Sequence, residues 1–249
     1  MSKFLGYIAY EGPSIIDGKP IVVIINKLNG SKNIKTGDVV QSFIIRSDIN
    51  PVKALQTGDD LSICGECEHR PSKAKNTGAA PCYVNVGRSV FMVYNAYKRG
   101  RYTRSDPATI AAALKDKIVR LGTYGDPFAA PYHIWSNITR YTQKTIGYTH
   151  QWQNAKFNPV EWAPLVMASA DNIDQAAHAN LLGMRVFRVS IGLDRQPLEV
   201  ICPASSEGGK KTLCSSCKLC SGTSIQALDI VIADHGLGHK KRVFMLERV

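Results

Sequence analysis

After about residue 60, short apolar runs rich in β-branched residues alternate with segments whose apolar residues have helical spacing. The predicted strands are residues 118–122, 145–150, 165–170, 184–191, 198–202, 229–233 and 243–246. The predicted helices are residues 89–97, 110–117, 132–143 and 173–182. Strands joined by single helices form right-handed βαβ units, which give a parallel sheet. The alternation predicts an α/β fold, a full or partial (β/α) barrel, with an open doubly wound sheet as the alternative.

The chain divides into three segments by pattern. In residues 1–60, the apolar run 21–25 and the stretch 39–46 are predicted strands separated by turn signals. We therefore predict a β-rich N-terminal extension (1–60), a barrel-like core (61–201), and a cysteine-rich metal-binding segment with the last strands (202–249). No G-x-G-x-x-G follows the first strand, which disfavours a dinucleotide-binding fold.

The sequence also predicts the compartment of the protein, its relation to membranes and the state of its cysteines. No apolar run approaches the roughly 18 residues of a membrane span, so we predict no membrane association. Residues 1–4 lack the features of a signal peptide. We therefore expect a cytoplasmic protein (in the host cytoplasm if viral). In a reducing compartment, seven cysteines are typical of metal ligands or reactive thiols, and the odd number fits disulfide pairing badly.

The strongest motif is near the C-terminus. Cys202 ends a predicted strand and is followed by Pro203, and the run Cys214-x2-Cys217-x2-Cys220 comes after eleven intervening residues. Thiolates two residues apart can bind one metal from a single turn, and a C-x2-C-x2-C run with a remote Cys-Pro resembles the ligand pattern of bacterial ferredoxins. This set predicts either an iron–sulfur cluster or a four-cysteine zinc site.

A second set comprises Cys64-x2-Cys67 and Cys82. Three cysteines fall short of the four ligands of a closed zinc site, although His69 is a candidate fourth ligand. Alternatively, a [4Fe–4S] cluster held by three cysteines leaves one iron open to a substrate or cofactor. Unliganded structural thiols are the third interpretation.

Polar residues follow the predicted strands, where (β/α) barrels place their functional groups. Each one alone has an ordinary structural explanation, as a helix cap or a core residue, but together with the cysteines they predict a pocket. The candidates for catalysis are Tyr148, His150 and Asp171, and those for cofactor binding are Gly125, Asp126, Ser169 and Arg188.

The net charge of +11 favours a polyanionic partner, nucleic acid first. Eight cations and no Asp or Glu lie between Arg70 and Arg104, interleaved with tyrosines. Such a stretch is typical of a surface that holds phosphates and stacks bases, or of a solvated helix face with its aromatic side in the core. The candidate nucleic-acid contacts are Arg88, Lys98, Arg99, Arg101 and Arg104.

Two resemblances follow from these motifs. The set Cys64, Cys67 and Cys82, with Tyr83 after the third, resembles a loosened form of the radical S-adenosylmethionine enzymes, which space their cysteines C-x3-C-x2-C rather than C-x2-C-x14-C. Gly125-Asp126-Pro127 is similar in place to the Gly-Gly-Glu-Pro stretch that binds the amino group of that cofactor. The chain also resembles, over about residues 20–236, uncharacterised bacteriophage and prophage proteins that share C-x2-C-x-H-R, G-Y-T-H-x-W and C-P-A-S stretches.

These resemblances imply a phage-type metalloprotein with two cysteine sites: a radical S-adenosylmethionine-like enzyme that modifies nucleic acid or a nucleotide. Cys64, Cys67 and Cys82 would hold a [4Fe–4S] cluster and Asp126 the cofactor amino group, while Cys202, Cys214, Cys217 and Cys220 would hold a second cluster or zinc. The alternatives are a non-enzymatic nucleic-acid-binding protein stabilised by zinc and a host-directed inhibitor.

Overall fold

The computed structural model describes residues 4–26, 28, 35–70, 82–190 and 192–233, and its ten strands form one sheet. The strands are β1 (Gly6–Pro13), β2 (Pro20–Asn26), β3 (Val40–Arg46), β4 (Thr103–Arg104), β5 (Ile118–Tyr124), β6 (Lys144–Thr149), β7 (Met167–Ala170), β8 (Val186–Ser190), β9 (Glu199–Ile201) and β10 (Asp229–Ala233). Their order across the sheet is β4-β1-β2-β3-β5-β6-β7-β8-β10-β9.

Short helices connect these strands. They are α1 (Pro51–Thr57), α2 (Leu61–Cys64), α3 (Phe91–Lys98), α4 (Pro107–Ala113), α5 (Tyr132–Thr139), α6 (Pro159–Trp162), α7 (Ile173–Leu181) and α8 (Cys214–Cys217). Within the described ranges, no helix combines the length and the apolar character that crossing a bilayer requires.

The predicted α/β class and parallel sheet are confirmed. Every pairing from β3 to β9 across the sheet is parallel, whereas β1 pairs antiparallel with β2, and β2 with β3. The described strands end at two edges, β4 and β9, so they form an open sheet and not a full barrel. The β-rich extension is part of this same sheet. The predicted strand 243–246 lies outside the described residues.

Strands β2 and β3 are buried deeply in the core. Residues 21–25 of β2 are fully buried, and so is nearly all of β3, because both faces of these strands are covered. Four of the helices begin directly after a residue whose side chain accepts a hydrogen bond from the first turn: Asn50, Asp106, Asn158 and Asn172. The caps end the preceding loops and fix where each helix returns to the sheet.

Candidate functional site

A cavity of about 410 Å³ lies against one face of the parallel strands. Alternate residues of four strands line it, as expected because side chains two apart share a face. These residues are Arg120, Gly122 and Tyr124 on β5, Ile146 and Tyr148 on β6, Phe187 and Val189 on β8, and Ile230 and Ile232 on β10. All seven cysteines also line this cavity.

The first cysteine set, Cys64, Cys67 and Cys82, lies at the carboxyl ends of the strands. The carbonyl of Cys64 accepts a hydrogen bond from Gln151, just after β6, and the carbonyl of Ile63 accepts one from Asp126, just after β5. The amide of Cys82 donates to the carbonyl of His69 at 3.0 Å. Cys82 is thus brought back beside His69, although fourteen residues separate it from Cys67 in the sequence.

The second cysteine set, Cys202, Cys214, Cys217 and Cys220, lies on a segment that crosses the strands. The amide of Cys202 donates to the β10 backbone at Val231. The amide of Cys214 donates to the carbonyl of Lys35, before β3, and the carbonyl of Cys220 accepts from Gly147 in β6. Through these contacts the segment runs from the end of β9 across β6 to the loop before β3, and its four cysteines line the cavity.

Arg185 holds the second segment in place. This arginine is buried at 8 % exposure and donates to four backbone carbonyls. Two of them, Leu219 at 2.7 Å and Gly222 at 2.9 Å, flank Cys220, and the others belong to Ala227 at 2.9 Å and Leu228. The guanidinium therefore fixes the loop that carries Cys220, and sequence analysis did not identify it.

The thiols of each set influence one another electrostatically. Burial, together with Cys67, Asp60 and Cys82, raises the pKa of Cys64 well above its usual value. Burial also raises the pKa of Cys220 to about 12, and the other three thiols of its set add to that effect. The raised pKa values of Cys64 and Cys220 disfavour their thiolates unless a cation stabilises the negative charge.

His69, His150 and Asp171 form a compact group of ligand-type side chains. The Nε2 atom of His69 lies 2.6 Å from Oδ1 of Asp171, and Nε2 of His150 lies 3.9 Å from the same oxygen. Among the described residues, these three are the one group of at least three His, Cys, Asp or Glu side chains whose ligand atoms all lie within 4.8 Å. No three sulfur atoms of either cysteine set all lie within 4.8 Å of one another.

The protonation of this group is set by its neighbours. Burial alone would lower the pKa of His150, but Cys67 and Asp171 raise it well above its usual value. Burial alone would likewise raise the pKa of Asp171, but the two histidines hold it well below its ordinary range. Nε2 of His150 is buried and has no hydrogen-bond partner. Cys67 and Asp171 thus favour the charged form of the His150 imidazole, which lines the cavity.

Asp126 lines the cavity, but its carboxylate is already engaged. Oδ1 accepts hydrogen bonds from the Phe128 amide at 3.0 Å and the Thr149 hydroxyl at 2.8 Å, and Oδ2 accepts one from the His150 amide at 2.8 Å. Gly125 precedes it at φ +82°, and a Cβ there would lie 2.7 Å from the Ile44 carbonyl. The two residues therefore fix the loop that connects β5 to the end of β6.

The remaining predicted pocket residues separate into two groups. Tyr148 and Ser169 line the cavity, and the Tyr148 ring packs on Phe187 at a centroid distance of 4.3 Å. Arg188 instead lies in a buried ion pair, with Glu199 at 2.6 Å and Asp194 at 3.1 Å. The geometry of Arg188 is that of a structural residue, since these partners occupy its guanidinium.

The basic stretch is exposed only in part. The five candidate contacts Arg88, Lys98, Arg99, Arg101 and Arg104 are exposed, although Arg104 pairs with Glu11 at 2.6 Å. Arg70, Tyr94 and Tyr102 are buried, at 6 %, 8 % and 6 % exposure. Arg70 pairs with Asp60, and the two tyrosines belong to the main core. The burial of these two tyrosines agrees with the second interpretation of the stretch, a solvated helix face with its aromatic side in the core.

Sequence analysis missed Arg120 as well as Arg185. Arg120 was detectable as a single charged residue inside an otherwise apolar predicted strand, whereas the four carbonyls that Arg185 contacts are known only from the fold.

Compared with known proteins, the chain matches no protein-family model, no curated protein and no solved structure.

Proposed function

We propose that this protein is a metalloenzyme of the radical S-adenosylmethionine type, with two cysteine-bound centres at one cavity and a nucleotide or nucleic acid as substrate. The observation that carries the proposal is that all seven cysteines line a single cavity on one face of a mostly parallel sheet. The first cysteine set lies at the carboxyl ends of the strands, where barrels and open α/β sheets bind their ligands. The proposal therefore interprets the open sheet as a partial barrel.

The donor chemistry fits the proposed groups. Thiolates are the preferred ligands of iron–sulfur clusters and also suit zinc. The first set has three cysteines at the carboxyl ends, which suits an open [4Fe–4S] cluster, and the second set has four, which suits a closed cluster or zinc. When bound, the open cluster supplies an electron and a free coordination position for the cofactor.

The protein's own residues supply a proton donor and an apolar wall beside the first cysteine set. The charged form of the His150 imidazole is favoured by Cys67 and by Asp171, whose Oδ1 lies 3.9 Å from the buried Nε2. This arrangement makes His150 a general acid beside the first set. Phe187, Val189, Ile230 and Ile232 form an apolar wall that excludes water from the same space.

Metal analysis of matched variants tests the proposal. After anaerobic purification, Cys67→Ser is expected to lose the iron of the first centre and keep the second, whereas Cys217→Ser loses the second. Ser216→Ala, an exposed neighbour of Cys217, is the control and retains both. Unchanged iron and zinc in both cysteine variants would contradict the proposal.

A second candidate is a divalent-metal centre at His69, His150 and Asp171. It is favoured by the spacing of these three ligand atoms, because two histidines and one carboxylate form a common site for iron or zinc. The same experiment separates the two candidates. If His69→Ala abolishes metal binding while Cys67→Ser leaves it intact, the second candidate replaces the first.

The exposed cations at the end of α3 support nucleic acid as the partner, in the enzyme and equally in a zinc-stabilised binding protein. If about four phosphates are neutralised, log affinity should fall with log salt at a slope of about −3 to −4. Replacing Lys98, Arg99 and Arg101 by Ala should reduce that slope by about 2–3 and leave metal content unchanged. Fluorescence titrations with short DNA and RNA at several salt concentrations measure it.

The matched control replaces three exposed cations elsewhere, Lys53, Lys115 and Arg140, by Ala. It changes the net charge by the same amount but removes nothing from the α3 surface. Equal slopes for both triple variants would show that only the overall charge matters and would remove this surface from the proposal.

A further inference from the structure

The buried arginines of this chain allow an internal comparison. Arg46, Arg70 and Arg188 each pair with at least one carboxylate, and Arg185 donates to four backbone carbonyls. A buried guanidinium is costly unless its charge and its N–H groups are matched in this way. In these four cases, the fold itself supplies the partners.

Arg120 differs from them. Its guanidinium faces the cavity from β5, and one terminal nitrogen, Nη2, donates to the Tyr83 hydroxyl at 3.0 Å. Nε is buried and has no hydrogen-bond partner. No carboxylate of a described residue lies within 4.0 Å of the guanidinium, and the nearest aromatic face is the Tyr148 ring, with its centroid 6.0 Å away. Arg120 is thus a cation in a mostly apolar wall, and no carboxylate of the described part of the chain pairs with it.

We propose that Arg120 anchors an oxyanion, a phosphate or carboxylate group, of a small-molecule ligand that occupies the cavity. The planar guanidinium donates two parallel hydrogen bonds to such groups, and the donor on Nε is one that this pairing uses. The cavity volume of about 410 Å³ is in the range of small-molecule sites.

The rest of the wall agrees with an anionic occupant. Lys35 and Lys218 also line the cavity, so they add positive potential. The carboxylate of Asp126 on the same wall is already engaged by three internal donors. That the ligand is the enzyme's substrate or cofactor rests on the proposed function, whereas the anion site itself rests on Arg120 alone.

The competing occupant is the second metal centre. A metal bound by four thiolates carries negative charge, and Cys214 is close enough to Arg120 for their charges to interact. If Arg120 serves only that centre, its loss alters the centre and not the binding of added anions. A single set of samples can therefore decide between the two roles.

The test measures the binding of inorganic phosphate, acetate and adenosine monophosphate to the full-length protein by calorimetry. The wild type should bind phosphate or acetate, whichever matches the site, and the Arg120→Met variant should bind it about 10- to 100-fold more weakly. Arg120→Lys keeps the charge without the planar pair of donors, so its anion affinity should lie between those of the wild type and Arg120→Met. If Arg120→Met does not fold, Arg120→Lys alone is compared with the wild type. Arg140→Met, an exposed arginine, is the control.

Equal anion affinity in the wild type and both Arg120 variants would overturn the proposal, as would the absence of binding by the wild type. A changed metal content or spectrum in Arg120→Met with unchanged anion affinity would assign Arg120 to the metal centre instead, which also overturns it. Metal content is recorded in the same samples, so a metal-free protein that still binds anions through Arg120 contradicts the proposed function and not the anion site.

Discussion

Replacing Arg185 by Met should destabilise the protein by about 3 kcal/mol, because one buried and three partly buried carbonyls lose their donor and an unsatisfied buried group costs roughly 1–3 kcal/mol. For a chain of this length, the loss corresponds to a fall of about 6–12 °C in the melting temperature. The second metal centre should be lost as well, since Arg185 fixes the carbonyls that flank Cys220. Calorimetry and metal analysis of the same samples measure both effects.

Arg185→Lys provides the graded comparison. One ammonium group cannot reach four carbonyls, so we expect an intermediate melting temperature and a partial loss of metal. Arg140→Met removes an exposed arginine and should change neither quantity. If Arg185→Met keeps the wild-type melting temperature, then Arg185 does not hold the segment that carries the second cysteine set.

Replacing Glu199 by Gln should cost about 3–5 kcal/mol, because it leaves the buried charge of Arg188 without its main partner. The carboxylate receives two hydrogen bonds from that guanidinium, at 2.6 and 2.7 Å, and both side chains are almost fully buried. Chemical denaturation measures the loss. Glu161→Gln, on the exposed side of α6, is the matched control and should change the stability by less than about 0.5 kcal/mol.

The pH dependence of this difference has a defined sign. Burial alone would raise the pKa of Glu199, but Arg188 outweighs burial and lowers it. A carboxylate with a lowered pKa contributes its stability fully above the ordinary value of about 4.3 and loses it as the pH falls through the folded-state value. The wild type should therefore exceed Glu199→Gln by a constant margin near neutral pH and by a shrinking margin below about pH 4. A margin that shrinks instead above pH 7 would contradict the assignment.

Most of the sheet is predictable because its strands are buried apolar runs bounded by turns. The strand at 21–25 extends by only one residue at each end in the structure, and the strand at 229–233 has the predicted bounds. β1 and β4 were missed for physical reasons. β1 mixes polar and apolar residues, and β4 has two residues whose strand geometry comes entirely from pairing with β1.

The site was predictable in its residue types but not in its connections. The cysteines and His150 could be identified from spacing and from their positions after strands, and all of them line the cavity. The contact between His69 and Asp171 spans 102 residues, and no local pattern encodes it. Arg188 and Asp126 carry the charge expected of ligand-binding residues, but in the structure internal partners satisfy them.

The visible spectrum of wild-type protein purified without oxygen, together with its iron, sulfide and zinc content, tests the central claim most directly. The account predicts a coloured protein with about four irons and four sulfides for the first set, and either the same again or one zinc for the second. A colourless protein that contains no iron or sulfide would contradict it.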